Sequence, residues 1–212
     1  MVPWPYIVVE GVIGVGKTSL AKLLATRISG SLNLEVVEEN PFLARFYEDR
    51  AANAFQTQMF FLLSRYRQQQ NLHQNDLFAS TLISDYLFAK DRIFANLNLG
   101  DDELVLYNQL AAILEQRIRP PDLVIYLQAR TEMLQQRIQW RGRSYERDLD
   151  PAYLEALSGA YSYYFHHYKD SPLLVVNTDN LDFVNVPGDF DLLFEQLTGS
   201  FAGTRYFAPD SG

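Results

Sequence analysis

Short apolar runs alternate with longer stretches of helical periodicity along this chain, and that alternation predicts a fold before any single residue is considered. Five runs, 6–10 (YIVVE), 34–37, 80–85, 123–128 and 173–177, have the length and apolar character of strands covered on both faces. Segments 17–28, 52–71, 101–117, 131–140 and 151–168 read as helices between them, and a further helix is expected to begin in YLFAKDRIFA. Strands separated by helices imply right-handed crossovers and a parallel sheet. The predicted fold is therefore α/β, a five-stranded parallel sheet flanked by helices. No repeat, low-complexity tract or linker interrupts the pattern, so residues 1–198 read as one domain. Residues 199–212 (GSFAGTRYFAPDSG) have turn composition and are expected as a tail over the surface.

Composition narrows the class. A chain of 212 residues with 14 Phe and 13 Tyr can bury a sizeable core. It has no cysteine, which excludes a disulfide framework, a thiol nucleophile and Cys-ligated zinc. No run approaches the ~18 consecutive apolar residues of a membrane span, and the start, MVPWPYIVVEG, lacks a basic leader, so the expected location is the cytoplasm. Eighteen Lys plus Arg against 26 Asp plus Glu give a net charge of -8, a surface that repels nucleic-acid phosphate. Any phosphate this chain binds is expected on a small molecule, with no polymer and no membrane as partner.

One string calls for such a phosphate. GVIGVGKT, residues 11–18, fits G-x-x-x-x-G-K-[ST] between the first strand and the first helix. Backbone N–H groups around Gly11, Gly14, Val15, Gly16 and Ser19 converge on the phosphates of a nucleoside triphosphate such as ATP, and the helix adds its positive end. Lys17 neutralises β and γ oxygens, and Thr18 offers its hydroxyl to Mg²⁺. Asp85, ending the third apolar run, is either the second ligand of that ion, the N-cap of the next helix, or both. A GTP switch would carry D-x-x-G and N-K-x-D, and neither string occurs. Motor and transporter ATPases need more chain, which leaves the small kinases.

Three clusters are candidates for the acceptor side. Glu35, Glu38 and Glu39 follow the second strand, at the end of a parallel sheet where active sites lie; a carboxylate there is either a general base or part of a solvated acidic loop. Gln58 and Arg65 are two helical turns, about 10 Å, apart on one face, and suit the edge of a nucleobase; Phe60 and Phe61 offer apolar walls. The plainer alternative is a core stripe with polar residues in water. Arg137, Arg141 and Arg143, around Gly142, form either a basic solvated face or a lid over transferring phosphates, about 137–150.

Read in order, EGVIGVGKTSL, EVVEENPFLARFYED, SRYRQQ, SDYLFAKDRIFA and RIQWRGRSYE resemble the deoxyribonucleoside kinases, and among them the bacterial deoxyguanosine and deoxyadenosine kinases. The likeness runs from about Tyr6 to about Phe194. It implies transfer of the γ-phosphoryl of ATP or another NTP to the 5′-hydroxyl of a purine deoxynucleoside, with Mg²⁺, by a homodimer in nucleotide salvage. Carried over by position, Glu35 is the general base, and Tyr47 with Glu146 holds the sugar 3′-hydroxyl. Gln58 reads the base, Arg65 is the arginine of its pocket with Asp91 the substrate-binding acid beside it, and Arg137, Arg141 and Arg143 are the lid arginines. One departure stands out: where the family commonly has Arg after the strand-three acid, this chain has Tyr86. The missing charge is then lost or supplied by a lid arginine, with Tyr86 itself at the substrate; an Asp-Tyr pair also occurs in some bacterial deoxyguanosine kinases, which favours guanine. The alternatives are a nucleoside monophosphate kinase of thymidylate-kinase type and a non-catalytic nucleotide-binding module. His166 and His167, adjacent on a helix, point different ways and are expected at the surface or an interface.

Overall fold

A computed structural model of the chain describes residues 2–75, 81–146 and 149–209. Six parallel strands form one sheet in the order β2-β3-β1-β4-β5-β6: β1 Tyr6–Gly11, β2 Ser31–Asn33, β3 Leu82–Ser84, β4 Leu123–Gln128, β5 Leu173–Asn177 and β6 Thr204–Phe207. The order reverses around β1, which lies between β3 and β4, so a crevice opens beyond the carboxyl ends of the central strands. Eight helices surround the sheet among the described residues: α1 Lys17–Ile28, α2 Leu43–Glu48, α3 Arg50–Asn75, α4 Lys90–Asn98, α5 Asp101–Glu115, α6 Thr131–Arg141, α7 Pro151–His167 and α8 Pro187–Glu195. None of the described helices is long and apolar enough to cross a membrane.

Strand β1 is buried along its whole length and β4 up to Leu127, as strands covered on both faces must be, with Glu10 the one charged side chain among them. A second, smaller core of Leu62, Phe88, Ala95, Tyr107 and Ala111 joins α3, α4 and α5. Tyr107 and Ala111 are the buried residues of α5; the rest of that helix is partly or largely exposed, including Val105, Leu106, Leu110 and Ile113.

The sheet departs from expectation in two places. The second strand is Ser31–Asn33, not 34–37: Asn33 closes the pairing with Ser84, and Leu34 and Val37 gain their burial by lining the cleft rather than by pairing. The sixth strand comes from the expected tail, pairing Leu173 with Thr204 and Val176 with Phe207 along the open edge of β5. Its four residues follow the turn at Gly203, and the Arg205 guanidinium over Phe201, at 4.2 Å, with an edge-to-face contact of Phe201 on Trp4, fastens it to the body. Ser80, the first residue of the expected third strand, lies outside the described residues.

Candidate active site

The residues of interest collect where strands end. β1 runs into the glycine loop, β2 is followed at two residues by Glu35, β3 at one residue by Asp85, and β5 by Thr178. The loop, Glu35 and Asp85 border one cleft of about 1170 Å³, lined on one side by Gly14 to Ser19 and on the other by Glu35, Tyr47, Gln58 and Arg65, with Thr178 buried beneath it. Arg137, Arg141, Arg143 and Glu146 line its roof, so the strands bring together nearly every position singled out from sequence.

At the donor end, backbone geometry carries the design. Gly14 (φ 87°) and Gly16 (φ 108°) have left-handed backbones that other residues rarely adopt. Space is equally restrictive: a Cβ on Gly14 would meet Ile138 of α6 at 2.7 Å, and one on Gly16 would meet Phe183 at 2.9 Å. The loop must therefore be thin to pack on α6 and against Phe183. Gly11 lies deeper and accepts, through its carbonyl, a 2.7 Å hydrogen bond from Lys17 Nζ; the Val12 carbonyl accepts a second at 3.2 Å. Burial, and then the charge of Lys90, lower the Lys17 pKa to about 8 against the pull of Glu10, Glu35 and Asp85. Thr18 Oγ1 donates to Asp85 Oδ2 at 2.5 Å, while Asp85 Oδ1 accepts the Glu35 backbone N–H at 2.7 Å. One carboxylate thus ties the glycine loop to the segment after β2. Among the described residues no three His, Cys, Asp or Glu side chains gather into a protein-only metal cage. A hydroxyl and a carboxylate beside a phosphate loop are nonetheless the hard oxygen donors that suit Mg²⁺, which keeps water and phosphate oxygens as its other ligands.

The acceptor end is built from charged side chains taken out of water. Glu35 Oε1 accepts from Arg65 Nε at 2.8 Å and Nη2 at 2.5 Å; Oε2 accepts from Lys90 Nζ at 2.7 Å. Arg65 also pairs through Nη1 with Asp91, which accepts at its other oxygen from Tyr107 at 2.9 Å. Burial alone would raise the Glu35 pKa, but Arg65 and Lys90 together outweigh it and hold the carboxyl well below the usual carboxylate range. For Asp91 burial wins over the pull of Arg65, and its pKa is raised. Gln58, which lines the cleft with Thr57 and Phe61, is 2% exposed, and its Oε1 is buried without a hydrogen-bond partner. Unpaired buried polar atoms are uncommon and mark a place that a ligand can complete.

The roof is a set of arginines held by acids. Arg137 is fixed by the Val15 carbonyl and by both Thr178 oxygens, so α6 rests directly on the glycine loop. Arg141 pairs with Glu146, which is 3% exposed, and Arg143 reaches across the mouth to Glu38 at 2.7 Å. Tyr47 stacks on Tyr145 with 5.7 Å between ring centroids; burial, and then the Glu146 charge, push its phenol up.

Two expectations are corrected. Tyr86 does not reach the cleft: it is fully buried, and its hydroxyl accepts from Asn33 Nδ2 at 3.1 Å beneath the strand ends. Asp91 also stays out of the cleft, behind Arg65, because its two oxygens are taken by Arg65 and Tyr107. Three residues that sequence reasoning did not single out matter here. Glu10 accepts from Gly11 N–H, Leu87 N–H and Tyr161 hydroxyl and so locks the loop's root to the turn after β3. Thr178 holds Arg137, and Lys90 pairs with Glu35. A carboxylate inside an apolar strand is the signal that could have found Glu10, and a lysine directly after the apolar run YLFA the one that could have found Lys90.

A family model described as deoxynucleoside kinase matches residues 7–201. A deoxyguanosine kinase of Bacillus subtilis (strain 168) is 34% identical over 192 residues, covering 88% of this chain and 93% of the relative. A deoxyadenosine/deoxycytidine kinase of the same organism is 28% identical over 199 residues, 90% of each. Among solved structures, deoxyadenosine kinase from M. mycoides with bound dATP superposes with a TM-score of 0.80 at 26% identity, covering 92% of this chain and 99% of that one.

Proposed function

The chain belongs to the deoxynucleoside kinase family, and from that premise we propose that it transfers the γ-phosphoryl group of ATP, or of another nucleoside triphosphate, to the 5′-hydroxyl of a purine deoxynucleoside, deoxyguanosine or deoxyadenosine. The observation that carries this reading is the shared cleft: the glycine loop with Lys17 and the Glu35 carboxylate line it together. Phosphoryl transfer needs little covalent help from a protein; positioning and charge stabilisation carry most of it.

In this reading the loop amides and Lys17 hold the donor's phosphates, and Arg137, Arg141 and Arg143 cover them. Mg²⁺, held by Thr18 and Asp85, would supply charge neutralisation of the donor phosphates. Glu35 accepts the acceptor's hydroxyl hydrogen bond and then its proton. Its depressed pKa suits a group that must stay ionised to orient the hydroxyl, since in a loose transition state the proton leaves late. Tyr47 and Glu146 meet the sugar's 3′ edge, and the unpaired Gln58 oxygen accepts from a donor on the base, which both purines carry. The 34% identical relative is named a deoxyguanosine kinase and the superposed structure a deoxyadenosine kinase, so both bases stand in the proposal.

Steady-state assays with deoxyguanosine, deoxyadenosine, deoxycytidine and deoxyguanosine monophosphate test it. A purine deoxynucleoside is expected to lead; equal rates with deoxycytidine remove the purine claim, and turnover of the monophosphate alone selects a monophosphate kinase instead. We also infer a homodimer formed through α5, where Leu106, Leu110 and Ile113 recur at i, i+4 and i+7 on an exposed face. Ile113→Glu is expected to shift the mass in light scattering to one chain, and a wild-type mass of one chain contradicts it.

A further inference from the structure

Lys90 is placed where the fold by itself would not put a lysine. It opens α4, at the positive end of the helix dipole, and is 4% exposed. An ammonium there is disfavoured by both the dipole and the lost water, and an acid would suit the position better. What offsets the cost is Glu35, whose Oε2 lies 2.7 Å from Nζ. Lys90 also lines the cleft, while Tyr86, the residue directly after Asp85, turns away and carries no charge.

The lone pairs of Glu35 show what that placement does. A carboxylate offers about two acceptor sites on each oxygen. Both Arg65 donors fill those of Oε1; Lys90 takes one on Oε2, and one remains. A substrate hydroxyl entering from the cleft therefore bonds to Oε2, and the atom beside it is the Lys90 ammonium. We propose that Lys90 is a catalytic residue of this chain, supplying at the acceptor oxygen the positive charge that steadies the incoming phosphoryl group, and holding Glu35 with its open lone pair toward the cleft. The inference rests on the kinase reading above. In the step, the 5′ oxygen bonds to Pγ while the bond from Pγ to the β–γ bridging oxygen breaks. The hydroxyl proton passes to Glu35 Oε2, and the nucleoside diphosphate leaves with the bridging electron pair. Lys90 stays protonated throughout and offsets the charge on the acceptor oxygen and the phosphoryl oxygens.

Lys90→Met and Lys90→Arg, compared with wild type in kcat, KM for the deoxynucleoside and calorimetric nucleoside binding, test it. The methionine enzyme is expected to lose about 100-fold or more in kcat, as when one preorganised charge partner is removed from a transition state, with KM and nucleoside Kd within about threefold. The arginine enzyme is expected to recover at least about a tenth of wild-type kcat. A methionine enzyme within about threefold of wild-type kcat overturns the proposal. So does one that loses nucleoside binding and turnover together with no recovery in the arginine enzyme, which marks a structural lysine. Wild-type turnover of a deoxynucleoside reports on the kinase reading itself; the ratio of variant to wild type reports on Lys90.

Discussion

The donor end and the acceptor end of the cleft meet at Asp85 but are made by opposite means. The donor end is a contiguous loop, residues 11–18, whose cradle is backbone, and its lysine rests on the loop's own carbonyls. The acceptor end joins Glu35, Arg65, Lys90 and Asp91 from three separate elements into a buried charge network. Charges in water must be reorganised at each turnover, whereas charges fixed in a dry site are already in place. The contrast teaches that the donor end needs fold only to orient a loop, while the acceptor end is itself part of what holds the fold together.

Changes at the two ends should therefore fail differently, and the largest effect is expected at Lys17. Lys17→Met removes the cation of the phosphate cradle and is expected to lower kcat/KM about 10³-fold or more, with no loss of thermal stability because the side chain is already held against its charge by burial. Parallel loss of stability in a melting curve would erase the contrast. Arg65→Met removes the cation shared by two buried acids, leaving Glu35 with Lys90 alone and Asp91 with only the Tyr107 hydroxyl, and is expected to cost about 3–5 kcal/mol of unfolding free energy in urea. A cost under about 1 kcal/mol would mean the network is not structural. Next comes pH. Lys17 grips phosphate when protonated and titrates near 8 in the free protein, so donor affinity in metal-free buffer should be flat below pH 8 and weaken by up to tenfold per unit above it. Unchanged affinity to pH 9.5 would contradict that sign. Smallest is the rim: Arg143 meets Glu38, which is 63% exposed, so Glu38→Ala should change stability by less than about 1 kcal/mol. A larger loss would make the mouth a latch rather than a solvated pair.

The same contrast explains what could be read from the chain. The glycine loop is local, so GVIGVGKT announced its own chemistry, and the alternating runs gave the parallel sheet. The acceptor network depends on pairs 30 and 55 residues apart, Glu35 with Arg65 and Glu35 with Lys90, which no local pattern encodes. Residue type and position could nominate Glu35, Gln58 and Arg65 but not their partners, and the resemblance placed Tyr86 and Asp91 at the substrate although both lie beneath the cleft. Strand β2 slipped by three residues because Leu34 and Val37 bury their side chains in the cleft wall instead of the sheet. Strand β6 was hidden because four edge residues after a glycine turn have too little apolar contrast to stand out.

The central claim is that a sugar hydroxyl on Glu35 and a terminal phosphate on Lys17 occupy one cleft at bonding distance. A purine deoxynucleoside joined through its 5′ oxygen to the terminal phosphate of ATP measures this directly, by its inhibition pattern against each substrate. The account predicts competition with both the deoxynucleoside and ATP and an affinity at least about tenfold tighter than either alone, because the second contact becomes intramolecular. Competition with only one of them, at the affinity of that half, would contradict it.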